Sequence, residues 1–140
     1  MILFVCTGNT CRSPMAAALA RKYGVDAESA GISASPGAPA SPGAVRAMAL
    51  YGIDLRKHRA RQVSEALLEK AQAVYCMGPR HAAALRYEYP EAAGKLRVFS
   101  PPIPDPYLQD DAVYRACAAA LLSAMEREGI LPPAESRNPK

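Results

Sequence analysis

An α/β layer fold is predicted for this chain on three observations. Short apolar runs alternate with segments of helical periodicity. Helix-start and turn signals, Ser-Pro pairs and glycines, separate them. The first run, residues 2–5 (Ile-Leu-Phe-Val), is continuously apolar, as in a strand buried on both faces. A length of 140 residues suits one ordinary domain and is too short for two. With 50% hydrophobic and 21% charged residues the chain can build a core, which excludes global disorder.

The elements follow in order. After the first strand, a glycine-containing loop leads to Ser13-Pro14, which reads as an N-cap followed by proline at the first helical position. Met15, Ala18 and Leu19 carry that helix to a stop at Gly24. A second strand is expected near residues 27–30. Residues 31–43 are rich in Ser, Pro and Gly and read as a loop. Ser41-Pro42 repeats the helix-start signal, Val45, Met48, Ala49 and Leu50 give this helix an apolar side, and Gly52 ends it. Ser64 is expected to cap a short helix through Glu69. Residues 73–77 read as a third strand. Gly78-Pro79 then opens a helix that ends before Pro90, and residues 96–99 form the fourth strand. The proline-rich run 101–106 precludes regular structure. In the last helix Val113, Ala116, Cys117, Ala120, Leu121, Ala124 and Met125 share one face. A single domain over residues 1–131 is expected, with a flexible tail over residues 132–140.

Bulk properties narrow the function classes. No run approaches the roughly 18 apolar residues of a membrane span. Residues 2–5 are too short for the apolar core of a signal peptide. Four cysteines in a chain with this much core do not read as a disulfide framework, so a reducing, cytoplasmic setting is expected. The net charge of +4 is mild. The basic cluster Arg56, Lys57, His58, Arg59 and Arg61 lacks the aromatic interleaving of a nucleic-acid surface. It reads as a solvated loop that favours anionic partners. Neither nucleic acid nor membrane is expected as a partner.

The loop Cys6-Thr7-Gly8-Asn9-Thr10-Cys11-Arg12-Ser13 carries the chemistry. A loop that curls between a parallel strand and a helix N-terminus aims several backbone N–H groups at one spot. The helix dipole adds to the attraction for an anion. A thiol placed there is lowered from its free pKa of about 8.5. Arg12, across the curl, can turn its fork toward Cys6 and grip two phosphate oxygens. Such a loop offers a nucleophile, donors for three equatorial oxygens and a fixed positive charge, which suits phosphoryl transfer.

The Cys-x5-Arg spacing with its following Ser-Pro is joined by Ser29-Ala30-Gly31, Gly52-Ile53-Asp54, His58-Arg59-Ala60-Arg61-Gln62 and Asp105-Pro106-Tyr107. Together these segments resemble the low-molecular-weight protein tyrosine phosphatases, over about residues 1–128. The resemblance implies an open sheet of four parallel strands with helices on both faces and a phosphate loop after the first strand. It implies Cys6 as the nucleophile that carries a cysteinyl-phosphate intermediate. Arg12 would bind the phosphoryl group and stabilise its transition state. Asp105 would serve as general acid, then as general base. Ser13 would donate to the Cys6 thiolate and Asn9 would brace the loop. Thr7, Gly8, Thr10 and Cys11 would complete the phosphate-binding loop, and Tyr107 would wall the substrate cleft. Cys11 would also trap oxidised Cys6 as a reversible disulfide. His58 would be structural, with no catalytic role. The substrate would be a phosphorylated protein or peptide and the product inorganic phosphate. No cofactor and no metal are implied, because Arg12 and backbone N–H groups supply the positive charge.

Other readings of the same residues bear on this one. Cys6-x4-Cys11 and Cys76-x4-His81 could ligate zinc, but Arg12 beside the first pair would oppose a cation. Arsenate reductases share the loop and fold, yet they require a further pair of closely spaced cysteines. Downstream of the loop there is only Cys76, with no partner before Cys117, which falls on an apolar helix face. Thr10 bears on the substrate. Many tyrosine-specific relatives carry an aliphatic residue at this position. Bacterial protein arginine phosphatases with a similar loop use a threonine there to favour phosphoarginine. Tyr107 matches the tyrosine-phosphatase pattern. Phosphotyrosine is therefore the first expectation and phosphoarginine the second.

Overall fold

The computed structural model describes residues 1–137. Strands β1 (Ile2–Cys6), β2 (Ala27–Gly31), β3 (Ala73–Cys76) and β4 (Leu96–Val98) form one parallel sheet in the order β2-β1-β3-β4. Helices α1 (Arg12–Lys22), α2 (Pro42–Ala49), α3 (Glu65–Lys70), α4 (Pro79–Glu88) and α5 (Asp111–Arg127) cover it. Two short 3-10 helices, Pro90–Lys95 and Ala134–Ser136, complete the elements among the described residues. The alternating pattern thus yields the open four-stranded parallel sheet that the resemblance implies. Among the described residues no helix is long and apolar enough to cross a membrane.

Strand pleating sends alternate side chains of β1 to opposite faces. Phe4 and Cys6 join one cluster with Met15 and Leu19 of α1, Met48 of α2, and Leu121 and Met125 of α5. Within it Phe99 stacks on Tyr75 and on Phe4, with ring centroids 5.3 and 6.3 Å apart. Leu3 and Val5 join the other cluster with Val74, Leu68 of α3 and Leu85 of α4. Each large apolar side chain fully buried here contributes about 1.5–3 kcal/mol. Because every strand runs the same way, the loops after them emerge at one sheet edge. The connections leave in opposite directions from β1 and β3, which opens a crevice at their C-terminal ends.

The expected local signals operate at several ends. The Ser64 side chain accepts from the Leu67 N–H, as expected, and the Asp110 carboxylate, which the sequence reading does not single out as a cap, accepts from the Val113 N–H. Gly52, at φ 74°, lets the Ile53 N–H reach back to the Met48 carbonyl and closes α2.

Two details differ from the sequence reading. Helix α1 starts at Arg12, with Cys11 in the N-cap position, so Ser13 is not its cap. The Ser13 hydroxyl is instead 2.9 Å from the Cys6 sulfur. The buried face of α5 is also rotated from the expected one. Tyr114 and Ala118 are buried, whereas Val113 and Ala116 are exposed. Alanines on both sides of the stripe leave the face undefined in the sequence, and Tyr114 selects it by packing on α2. A Cβ on Gly43 would lie 2.3 Å from the Tyr114 ring, so α2 and α5 meet there without a side chain between them.

In the expected tail, Arg137 pairs with Glu126 and lies over the Tyr23 ring. Residues 138–140 of that tail lie outside the described residues.

The Gly43 contact predicts that Gly43→Ala destabilises the protein. Alanine gains up to about 1 kcal/mol of helix propensity. Overpacking costs roughly 1–3 kcal/mol, and the ring is buried and cannot swing clear. A lower denaturant midpoint with unchanged slope is expected, and an unchanged or raised midpoint would show that the helices yield freely.

Candidate active site

The loop after β1 turns through two constrained points. Asn9 sits at φ 58°, a left-handed conformation that costs a non-glycine residue about 1–2 kcal/mol. Four hydrogen bonds hold it there. Its amide nitrogen donates to the hydroxyls of Ser13 and Ser29, both at 2.9 Å. Its side-chain oxygen accepts from the Arg61 N–H at 2.9 Å, and its backbone carbonyl accepts from His58 Nε2 at 2.7 Å. The second point is Gly31 at the end of β2. A Cβ there would lie 2.5 Å from the Thr7 carbonyl oxygen, so only glycine lets the loop lie against this strand.

The loop presents Cys6 with its sulfur 2.9 Å from Ser13 Oγ. Since Ser13 already accepts from Asn9, its own proton is free to point at the sulfur. The other acceptor in reach, the Ala30 carbonyl, is farther at 3.4 Å. Arg12, on the first turn of α1, is only 7% exposed. Its guanidinium donates to the Ile103 carbonyl at 3.0 Å and to Thr7 Oγ1 at 3.5 Å. Its Nη2 lies 3.7 Å from Asp105 Oδ2. Asp105, in the segment between β4 and α5, is half exposed and accepts the Tyr107 N–H in a local turn.

These residues surround one cleft of about 530 Å³. Cys6, Thr7, Gly8, Thr10, Cys11 and Arg12 form its floor. Ala38, Pro39, Ala40 and Pro42 contribute apolar lining, and Asp105, Tyr107 and Leu108 also line it. Of the ten residues expected at the site, only Asn9 and Ser13 do not line the cleft. Both are fully buried behind the loop. A larger depression of about 820 Å³, which includes Arg21, Tyr23 and Tyr51, shares no residue with this cleft.

Comparisons with known proteins place the chain in a family. Residues 1–127 match the family described as low molecular weight phosphotyrosine protein phosphatase. The chain belongs to that family. It is 44% identical over 97 residues to a probable low molecular weight protein-tyrosine-phosphatase, EpsP, of Ralstonia solanacearum, covering 68% of this chain and 67% of that one. It is 38% identical over 136 residues to a protein-arginine-phosphatase of Geobacillus stearothermophilus, covering 90% and 91%. Among solved structures, a mutant of the YwlE arginine phosphatase with a phosphorylated active-site serine superposes with a TM-score of 0.86 at 30% identity, covering 91% of each chain. The protein is accordingly a protein phosphatase of the low molecular weight class.

Three residues around this cleft escaped the sequence reading. Tyr114 of α5 lies 3.4 Å from the Cys11 sulfur, which also meets Ser41 Oγ at 3.0 Å. The Cys11 thiol is thus turned toward α2 and α5. Burial raises the Tyr114 phenol to about 12. Ser41, expected only as a helix cap, makes no cap bond and binds Cys11 instead. His81 contacts Thr7 Oγ1 through Nε2 at 3.0 Å and accepts the Gly78 N–H on Nδ1 at 3.1 Å. Both ring nitrogens that the zinc reading needs are therefore engaged. Cys76 packs in the second core, across the sheet from Cys6, and burial raises its thiol to about 12. Cys117 is likewise buried on α5, with its thiol raised to about 12.

The two histidines predict a pH dependence of stability. Burial lowers the pKa of both His58 and His81 from the ordinary 6.5, with Arg12 adding to the effect at His81. Both are neutral in the folded state near pH 7. Their contribution is complete above 6.5 and is lost as pH falls through the depressed folded values, because the unfolded chain takes up the protons first. Imidazole titration by NMR is expected to give both midpoints below 6.5, with the unfolding midpoint declining over the same interval. A midpoint at or above 6.5 for either ring would contradict its burial as the controlling effect.

Proposed function

We propose that this chain hydrolyses phosphotyrosine in proteins through a covalent phosphoenzyme on Cys6. The observation that carries the reading is the convergence of Cys6, Arg12 and Asp105, from two distant chain segments, on one cleft floored by a loop and a helix N-terminus. The Cys6 thiolate attacks phosphorus, and the bond from phosphorus to the tyrosyl oxygen breaks. Ser13 Oγ–H steadies the thiolate before attack and when it leaves. The Arg12 guanidinium, desolvated and already anchored by Ile103, needs no reorganisation to hold two phosphoryl oxygens. Asp105 delivers a proton to the leaving phenolate oxygen. The resulting carboxylate takes a proton from water as that water attacks the cysteinyl phosphate. Inorganic phosphate leaves and the thiolate is restored. Pro39, Ala40, Tyr107 and Leu108 offer apolar walls suited to a tyrosyl ring.

One observation favours a second substrate. Thr10 lines the cleft with a hydroxyl where a tyrosine-specific wall would be apolar. One relative that matches nine-tenths of this chain is named a protein-arginine-phosphatase. Phosphoarginine hydrolysis is accordingly the alternative, with the same attack at phosphorus and a guanidino nitrogen as the leaving atom.

Cys6→Ser is expected to abolish turnover of every substrate. Asp105→Asn is expected to lower kcat by about 10²-fold or more for alkyl or phenolic leaving groups, and far less for an activated aryl phosphate. Equal losses on both leaving-group classes would remove Asp105 as the acid.

Comparing kcat/KM for phosphotyrosine and phosphoarginine peptides, in the wild type and in Thr10→Ile, decides the substrate. Preference for phosphotyrosine in both proteins supports the first reading. Preference for phosphoarginine that reverses in Thr10→Ile establishes the second.

A further inference from the structure

His81 and Thr7 form a pair that the mechanism above does not use. His81 is 6% exposed and is anchored at the start of α4, 74 residues from Thr7 in sequence. Its ring bridges two points. Nδ1 lies 3.1 Å from the Gly78 backbone nitrogen, and Nε2 lies 3.0 Å from Thr7 Oγ1.

Donor counting settles the direction of both bonds. The Gly78 N–H can only donate, so His81 Nδ1 must be bare and accept. A neutral ring with a bare Nδ1 carries its proton on Nε2. Nε2–H therefore donates to Thr7 Oγ1. The ring is held neutral by burial and by the nearby Arg12 charge, which lower its pKa. Thr7 Oγ1 also receives Arg12 Nη2 at 3.5 Å. Two donors thus occupy the lone pairs of this oxygen. Its single proton has no acceptor within hydrogen-bonding distance among the described residues. Thr7 is exposed and lines the cleft beside Cys6, Arg12 and Asp105.

We propose that His81 is a positioning residue that turns the Thr7 hydroxyl proton into the cleft, where Thr7 donates it to a phosphoryl oxygen of the substrate. The inference rests on the phosphatase reading. It adds a side-chain donor to those of the loop backbone and Arg12. It also explains why a histidine, and not an apolar residue, stands at a buried position of α4. An apolar residue would leave the Gly78 N–H without its acceptor and would free Thr7 Oγ1 to rotate.

The test compares kcat and KM for an aryl phosphate, and the inhibition constant of inorganic phosphate, in the wild type, Thr7→Val, Thr7→Ser, His81→Leu and the Thr7→Val/His81→Leu double variant. Loss of one hydrogen bond to a charged oxygen corresponds to about tenfold. Thr7→Val is expected to lose about that factor in kcat/KM and to bind inorganic phosphate more weakly. Thr7→Ser is expected to recover most of the loss. His81→Leu is expected to cost several-fold in the wild-type background and nothing further in the Thr7→Val background, since the two act through one proton. Thr7→Val within twofold of the wild type, equal losses for valine and serine, or fully additive losses in the double variant would each overturn the proposal. A measurement on the unaltered protein covers the case in which His81→Leu does not fold. Imidazole nitrogen shifts at pH 7 are expected to report the Nε2–H tautomer, and the Nδ1–H tautomer or a charged ring overturns the proposal. A wild type that hydrolyses no phosphomonoester and binds no phosphate overturns the phosphatase reading and this inference with it. Wild-type turnover with an unaltered Thr7→Val overturns the inference alone.

Discussion

The bend at Asn9 is the constraint on which the site depends. The loop after β1 doubles back within a few residues, which brings Arg12 beside Thr7 at the strand end. That requires a left-handed residue where the sequence carries asparagine. The conformation is unfavourable by itself and survives because surrounding structure over-determines it. The bonds to Asn9 come from α1, from β2 and from the segment at residues 58–61. The bend is therefore held from α1, β2 and a distant loop, in addition to asparagine's own tolerance of this conformation. The bare Cα of Gly31 is the complementary requirement, because it lets the loop lie flush on β2.

Burial sets the electrostatics of this frame. Arg12 is almost wholly removed from water, and its protein partners are a carbonyl, a hydroxyl and a carboxylate 3.7 Å distant. A guanidinium so placed retains unused donors and an unscreened field, which favour an anion in the cleft. The same field acts on His81, where it opposes a second positive charge. One buried cation thus bears on both the cleft and the neutral histidine behind it.

Much of the fold could be read from local pattern. The apolar run at residues 2–5, the Ser-Pro and Gly-Pro helix starts and the glycine at 52 each act within a few residues, and the corresponding elements stand where they were expected. Ser13 shows where such reasoning stops. Its position before proline fits a helix cap, but the helix begins two residues earlier than that cap implies, and the hydroxyl serves the sulfur of Cys6. Tyr114 shows the same limit for packing. An alanine-rich helix offers two adjacent apolar stripes, and only the close approach of Gly43 on α2 selects the one with Tyr114 on it.

The succession of strands and helices, the family, and a loop with a thiol and an arginine at fixed separation could all be read from the residues alone. These are matters of local propensity and of spacing along the chain. Tertiary structure decided what stands behind that loop. It brought Asp105 within 3.7 Å of Arg12 across more than ninety residues, turned Cys11 toward Tyr114, and set His81 against Thr7. Such contacts depend on sheet order and helix packing, which bring together residues whose spacing in the chain carries no periodic signal. The bend of the Cys6 loop is itself divided in this way: its residues are local, and the bonds that hold Asn9 in place are not.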